Sequence, residues 1–144
     1  MSTCRTLPLS RILLVEDDPD DIVALHIIVE NNSPRVLLDV AADGAEAVDL
    51  LRTLYPPPSL ILVDLRLPKQ SGLEVLRWIR ARPEFVRVPV VTLTDGLDMQ
   101  EISQALSLGA NSCLVKPPTF EALQEMIRSL VCYWCGMNQT GWFY

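Results

Sequence analysis

Five short apolar runs divide the chain: "RILLV" at 11–15, "VLLDVA" at 36–41, "LILVD" at 60–64, "VPVVTLT" at 88–94 and "SCLVK" at 112–116. Amphipathic segments of helix length, near 19–31, 43–54, 71–81, 97–108 and 119–133, separate and follow them. Short strands alternating with such helices predict βα units, and hence a parallel sheet covered on both faces. The segment ends carry their own signals. Asp18-Pro19 reads as an N-cap followed by proline at the first helical position, and Ser71-x-x-Glu74 as a capping box. Gly109 suits a left-handed stop, and Phe120, Leu123, Ile127 and Leu130 are expected to line one face of the last helix.

The first, third and fourth runs are apolar almost throughout, as strands buried on both sides are, whereas Asp39 interrupts the second and Ser112 and Cys113 dilute the fifth. The second and fifth are therefore predicted edges. Right-handed crossovers then give the strand order 2-1-3-4-5, whose direction reverses between strands one and three. Ligands of such sheets sit beyond the carboxyl ends of the strands, at that switch.

Composition narrows the function classes. The 144 residues, 49% of them hydrophobic, fit one domain. A net charge of -6 lacks the basic footprint of a nucleic-acid binder, so no nucleic-acid partner is expected. No apolar run approaches the roughly 18 residues that span a bilayer. The opening "MSTCRTLPLS" also lacks the apolar core of a signal peptide, so no membrane association and a cytoplasmic location are expected. Cys4, Cys113, Cys132 and Cys135 are then expected to be reduced thiols.

The polar residues at the predicted strand ends change the picture most. Glu16 and Asp17 follow the first strand, Asp64 the third, Thr94 the fourth and Lys116 the fifth. Any one of these is what a strand end commonly carries. Asp18 already caps the first helix, however, which leaves Glu16 and Asp17 without that task. Three carboxylates about 5 Å apart repel by about 3 kcal/mol per pair at an effective dielectric near 20. Lys116 offsets part of this, and a hard divalent cation such as Mg²⁺, which takes carboxylate oxygens, phosphate oxygens and water, offsets more. A carboxylate beside Mg²⁺, faced by a hydroxyl and an ammonium, is equipped to take a phosphoryl group onto itself. Asp64 would attack, Lys116 would neutralise the equatorial oxygens, and Thr94 would donate a hydrogen bond.

The set "LLVEDD", "LVDLRLPKQSGLE", "VVTLTD" and "LVKPP" resembles the receiver domain of bacterial two-component response regulators, from about residue 11 to 131. The resemblance implies an α/β fold of the flavodoxin-like, doubly wound (βα)5 kind, with a five-stranded parallel sheet. It implies that Asp64 is the phosphoacceptor for a sensor histidine kinase. Glu16, Asp17, Asp64 and the main-chain carbonyl of Arg66 would hold Mg²⁺, while Thr94 as switch hydroxyl and Lys116 would bind the phosphoryl group. A cis Lys116–Pro117 peptide is implied as well, and Pro68 and Gly72 match the turn after the acceptor. Three positions depart from the family pattern and are expected to modulate phosphoryl lifetime and switching. Asp95 replaces a small residue, Arg66 brings a guanidinium near the acceptor, and Cys113 stands where many receivers carry a tyrosine or phenylalanine.

The chain divides on this reading into an N-terminal extension (1–10), a receiver domain (11–133) and an aromatic tail (134–144). Too few residues follow the fifth helix for a DNA-binding output domain, so the signal is expected to pass by protein contact or phosphorelay, with slow autodephosphorylation and no enzymatic turnover. Five of the nine aromatic residues, Tyr133, Trp134, Trp142, Phe143 and Tyr144, fall in the last dozen positions. They are candidates for a homodimer or partner interface. In this the chain is similar to receivers that serve bacterial phytochromes, which tend to dimerise. Cys132-Tyr-Trp-Cys135 has the spacing of a redox or zinc pair but reads as coincidence on the last helical turn, and His26 as a packed or surface residue. Two alternatives stay open. One is a haloacid-dehalogenase-like phosphatase, which would want an aspartate where Arg66 stands and its nucleophile after the first strand; the other is a receiver-like scaffold that is never phosphorylated.

Overall fold

The computed structural model describes residues 10–33, 35–67, 69–96 and 98–137. Strands β1 (Ser10–Val15), β2 (Val36–Ala41), β3 (Leu60–Asp64), β4 (Val90–Thr94) and β5 (Ser112–Val115) alternate with helices α1 (Pro19–Asn32), α2 (Gly44–Thr53), α3 (Gly72–Arg80), α4 (Met99–Ser107) and α5 (Phe120–Val131). The sheet is parallel in the order β2-β1-β3-β4-β5, as predicted. Every residue of β3 and β4 is buried, while Leu37 of β2 and Val115 of β5 are exposed, as edge strands allow.

The strand period of two sorts side chains into two cores. Leu13, Val15, Ile61, Val63 and Val90 pack with Ala47 and Leu51 of α2 and Val75, Leu76 and Ile79 of α3. Ile12, Leu14, Leu60, Leu62, Val91 and Leu93 pack on the other face with Leu25 and Ile28 of α1 and Ile127 and Val131 of α5. Each fully buried aliphatic side chain contributes about 1.5–3 kcal/mol. Two such layers hold the sheet between them, so the residues at its carboxyl end are anchored from both sides.

All five helices begin on a side-chain cap. Asp18, Asp43, Ser71, Asp98 and Thr119 each accept a first-turn amide, satisfying donors that have no partner within the helix. At Ser71 the serine caps the Leu73 amide, one residue before the Glu74 amide that the expected box would use. Gly109 ends α4 at a φ of 108°, and a Cβ there would lie 3.1 Å from the Cγ of Arg80. Arg80 itself ties two loops together, those leading into β4 and β5. It donates to the carbonyls of Gly109 (2.9 Å), Phe85 (3.0 Å) and Val88 (2.9 Å) and to the Asn111 side chain (2.9 Å).

Four expectations are corrected. Among the described residues the cis peptide is Tyr55–Pro56, so Lys116–Pro117 is trans; X-Pro bonds favour trans by about 0.5–1 kcal/mol, and the lysine reaches its partners without the rarer isomer. α5 stops at Val131 and continues as a π-helical turn, Cys132–Met137. Phe120, the first residue of α5, is 43% exposed, and Val131 joins Ile127 in the core instead. Cys132 is disulfide-bonded while Cys113 and Cys135 are free, so the cysteines are not uniformly thiols. A disulfide needs two sulfurs brought to bonding distance, which composition does not reveal. Cys132 and Cys135 are thus not paired with each other, in keeping with the coincidence reading. Trp142, Phe143, Tyr144, Pro68 and Cys4 lie outside the described residues.

Candidate functional site

The carboxyl ends of β1, β3, β4 and β5 open onto one acidic pocket. Glu16 follows β1 and is fully buried; its amide donates to the Ala41 carbonyl of β2 at 2.9 Å. Its Oε2 accepts from the amides of Asp17 (3.2 Å) and Asp18 (3.3 Å), which orients the carboxylate inward. Asp64 ends β3 and is 4% exposed, paired with Leu93 of β4, and the Leu65 amide continues the ladder to the Leu93 carbonyl at 3.1 Å. The Arg66 amide donates to Asp64 Oδ1 at 3.0 Å. One carboxylate oxygen each from Glu16, Asp17 and Asp64 lie within 4.8 Å of one another. Three hard oxygen donors at that spacing fit a hard divalent cation.

Lys116 enters from β5. Its amide donates to the Thr94 carbonyl at 2.7 Å, extending the β4–β5 ladder by one residue and fixing where the side chain starts. The ammonium donates to Glu16 Oε1 (2.7 Å), Asp21 Oδ2 (2.8 Å) and, more loosely, Asp64 Oδ2 (3.5 Å). Asp95 Oδ1 lies 3.7 Å away. One cation thus faces four acids.

The electrostatics follow from burial and crowding. Burial, and next the neighbouring Asp64, push the Glu16 carboxyl up to about 7 against the opposing pull of Lys116. Burial alone would lower the Lys116 ammonium, but its hydrogen bonds to Asp21 and Glu16 and the charges of Glu16 and Asp64 hold it above the ordinary lysine value. Lys116 is therefore charged at neutral pH.

Gly72 packs against the backbone that carries Asp64. Its amide donates to the Leu65 carbonyl at 3.0 Å, and a Cβ there would collide with the Asp64 carbonyl oxygen and lie 2.7 Å from Leu65 Cα. The chain returns so close to the Asp64 backbone that a side chain has no room. Thr94 is 2% exposed, and its hydroxyl is turned to its own loop, donating to the Gly96 carbonyl at 3.1 Å and accepting from the Gly96 amide at 3.4 Å. The Arg66 guanidinium points to Glu101 of α4, 3.9 Å away. Cys113 is half-buried against the α2–α3 core, its thiol donating to the Ile102 carbonyl of α4 at 3.9 Å. Tyr133 and Trp134 stand apart from the pocket, on the turn after α5, where their rings meet edge to face at 4.8 Å.

Glu16, Asp17, Asp64, Thr94, Asp95 and Lys116 are thus brought to one place. The sequence reading missed Asp21. Its signal was available: with Asp18 the cap and Pro19 the first helical residue, Asp21 completes the first turn that starts beside Glu16.

A match to the response regulator receiver domain covers residues 12–128. The chain belongs to the response regulator receiver family. The methanogenesis regulatory protein FilR2 of Methanothrix harundinacea, so described as probable, is 34% identical over 133 residues, 90% of this chain and 86% of its own. Response regulator Rcp1 of Synechocystis sp. is 32% identical over 128 residues, 85% of this chain and 87% of its own. The Mn²⁺-bound form of response regulator Rcp1 superimposes with a TM-score of 0.81 at 30% identity, covering 90% of this chain and 97% of that one. The phosphorylated cyanobacterial phytochrome response regulator RcpA superimposes with a TM-score of 0.84 at 30% identity, over 90% and 96% of the two chains. A receiver is a signalling domain of two-component systems rather than a turnover enzyme, which leaves the haloacid-dehalogenase reading without support. No described helix is long and apolar enough to cross a membrane.

Proposed function

We propose that this receiver takes a phosphoryl group onto Asp64 from a sensor histidine kinase and signals through protein contacts or phosphorelay. The observation that supports this most is the company Asp64 keeps: a buried carboxylate fixed by the sheet, one face toward Glu16 and Asp17, the other toward the Lys116 ammonium. In the reaction an Asp64 oxygen attacks phosphorus in line. A P–O bond forms as the donor's P–N bond breaks, and the electron pair stays on the imidazole nitrogen. Lys116 takes up charge on the equatorial oxygens, and the Arg66 amide keeps Asp64 Oδ1 oriented. Glu16, Asp17, Asp64 and the Arg66 carbonyl would hold Mg²⁺, which when bound supplies positive charge to the transferring group. Thr94 gives up its contacts with the Gly96 main chain for a charge-assisted hydrogen bond to the phosphoryl group, and that rotation starts the switch.

Asp95 and Arg66 modulate the phosphoryl lifetime, one by sharing the lysine, the other through its link to α4. Cys113 replaces an aromatic partner of Thr94 with a smaller thiol, so the coupling from β4 runs to α4 through the Ile102 carbonyl. The protein is a cytoplasmic module in this reading, hydrolysing its own acyl phosphate slowly. Its likeness to RcpA supports a bacterial phytochrome as the cognate kinase. Exposed Tyr133 and half-buried Trp134 supply a homodimer contact after α5.

Incubation with acetyl phosphate tests the central step. With Mg²⁺ the intact mass gains one phosphoryl group; without it, or with Asp64→Asn, it does not. Failure of the wild-type protein to gain mass would revive the scaffold alternative.

A further inference from the structure

The pocket's lysine is held mainly by residues other than the acceptor. Lys116 Nζ lies 2.7 Å from Glu16 Oε1 and 2.8 Å from Asp21 Oδ2, but 3.5 Å from Asp64 Oδ2. An ammonium has three donors, and two of them are taken. The two holders differ in what they can release. Glu16 is fully buried, with its second oxygen tied to the Asp17 and Asp18 amides, so it cannot turn toward water. The side chain of Asp21 is 28% exposed, so water can replace the lysine there at little cost. Asp21 also lies outside the Glu16–Asp17–Asp64 cluster that could hold a cation.

We propose that Asp21 is a positioning residue that holds Lys116 back from the acceptor in the unphosphorylated protein, and that an incoming phosphoryl group competes with Asp21 for the ammonium. The proposal rests on Asp64 being the phosphoacceptor. The exchange moves one N–H hydrogen bond from Asp21 Oδ2 to a phosphoryl oxygen. Water satisfies the freed carboxylate, and no proton changes owner. Asp21 thereby sets the barrier to phosphorylation without touching the reacting atoms.

The measurement is the rate of phosphoryl gain by intact mass, over a range of acetyl phosphate concentrations at fixed Mg²⁺, with the full chain. Asp21→Asn is expected to raise the maximal rate about three- to tenfold, the scale of one hydrogen bond's net contribution, with the half-saturating donor concentration unchanged. Asp21→Glu, which restores a carboxylate, is expected to return the rate toward wild type. In a Lys116→Met background, Asp21→Asn is expected to produce no acceleration. An Asp21→Asn rate equal to or below wild type overturns the proposal, as does an acceleration that persists without Lys116, since a structural or general charge effect would not need the lysine. A wild-type protein that takes no phosphoryl group removes the phosphoacceptor reading, and this inference with it.

Discussion

Glu16 sits at the balance point of the pocket. Its carboxyl, raised to about 7 by burial and by Asp64, keeps its proton in the folded protein where an unfolded chain at about 4.5 would have lost it. That contribution to stability is fully present below about pH 4.5 and is lost as pH rises through about 7. A cation held by Glu16 must displace the same proton. Mg²⁺ affinity is therefore expected to fall about tenfold per pH unit below about 7, with proton release on binding, and to level off above it. Calorimetric titrations at several pH values in buffers of different ionisation heat measure both, and Glu16→Gln is expected to abolish the dependence. A flat profile in the wild-type protein would mean that Glu16 does not bind the ion.

The pocket's residues were legible in the sequence where a strand delivered them. Asp64, Thr94 and Lys116 end or directly follow buried runs, so locating the strands located the side chains. Asp21 is delivered by a helix start instead, so its signal is the cap at Asp18 and Pro19, from which one turn of α1 carries it to the lysine. The Arg66 guanidinium was expected beside Asp64 and this is corrected: the backbone adjoins Asp64, but the side chain leaves toward Glu101 of α4.

At the scale of elements, the βα alternation placed all five strands and helices to within about two residues, which is as well as helix and strand ends are defined. "VPVVTLT" shortens to Val90–Thr94 because the Val88 amide turns back to the Phe85 carbonyl and Pro89 has no amide to give the ladder. The three-residue 3-10 turn Pro83–Phe85 was invisible, being too short to show a period. The π-helical turn after α5 has no sequence signature of its own, and it carries Cys135 into the core that α1 and α5 cover. Burial there pushes the Cys135 thiol up to about 12, which makes it a packing residue rather than a nucleophile.

Arg80 holds together the loops that lead into β4 and β5. Its four hydrogen bonds satisfy three carbonyls and the Asn111 side chain, whose oxygen also accepts from the Val90 amide at 2.9 Å. Arg80→Ala is expected to lower stability by about 2–3 kcal/mol, because it leaves half-buried acceptors without donors. Urea unfolding would show this as a lower midpoint with an unchanged slope. Metal affinity at the far end of the sheet is expected to stay the same, and its loss would mean that the two ends of β4 are coupled.

At the scale of the molecule, the order β2-β1-β3-β4-β5 reverses the direction of winding between β1 and β3, and this opens the crevice into which Glu16, Asp17 and Asp64 project. Helices on both faces hold Asp64 at the end of a buried strand, while Thr94, Asp95 and Asp21, which surround it, lie at the ends of elements or in loops. The fold supplies position, and the loops supply response. Phosphoryl capture at Asp64 is the claim on which the rest depends. Reduction with borohydride after acetyl phosphate treatment converts an aspartyl phosphate to homoserine, and peptide mapping then locates it. The account predicts homoserine at position 64, formed only when Mg²⁺ was present during labelling; homoserine at another position, or none in a protein that has gained phosphoryl mass, would contradict it.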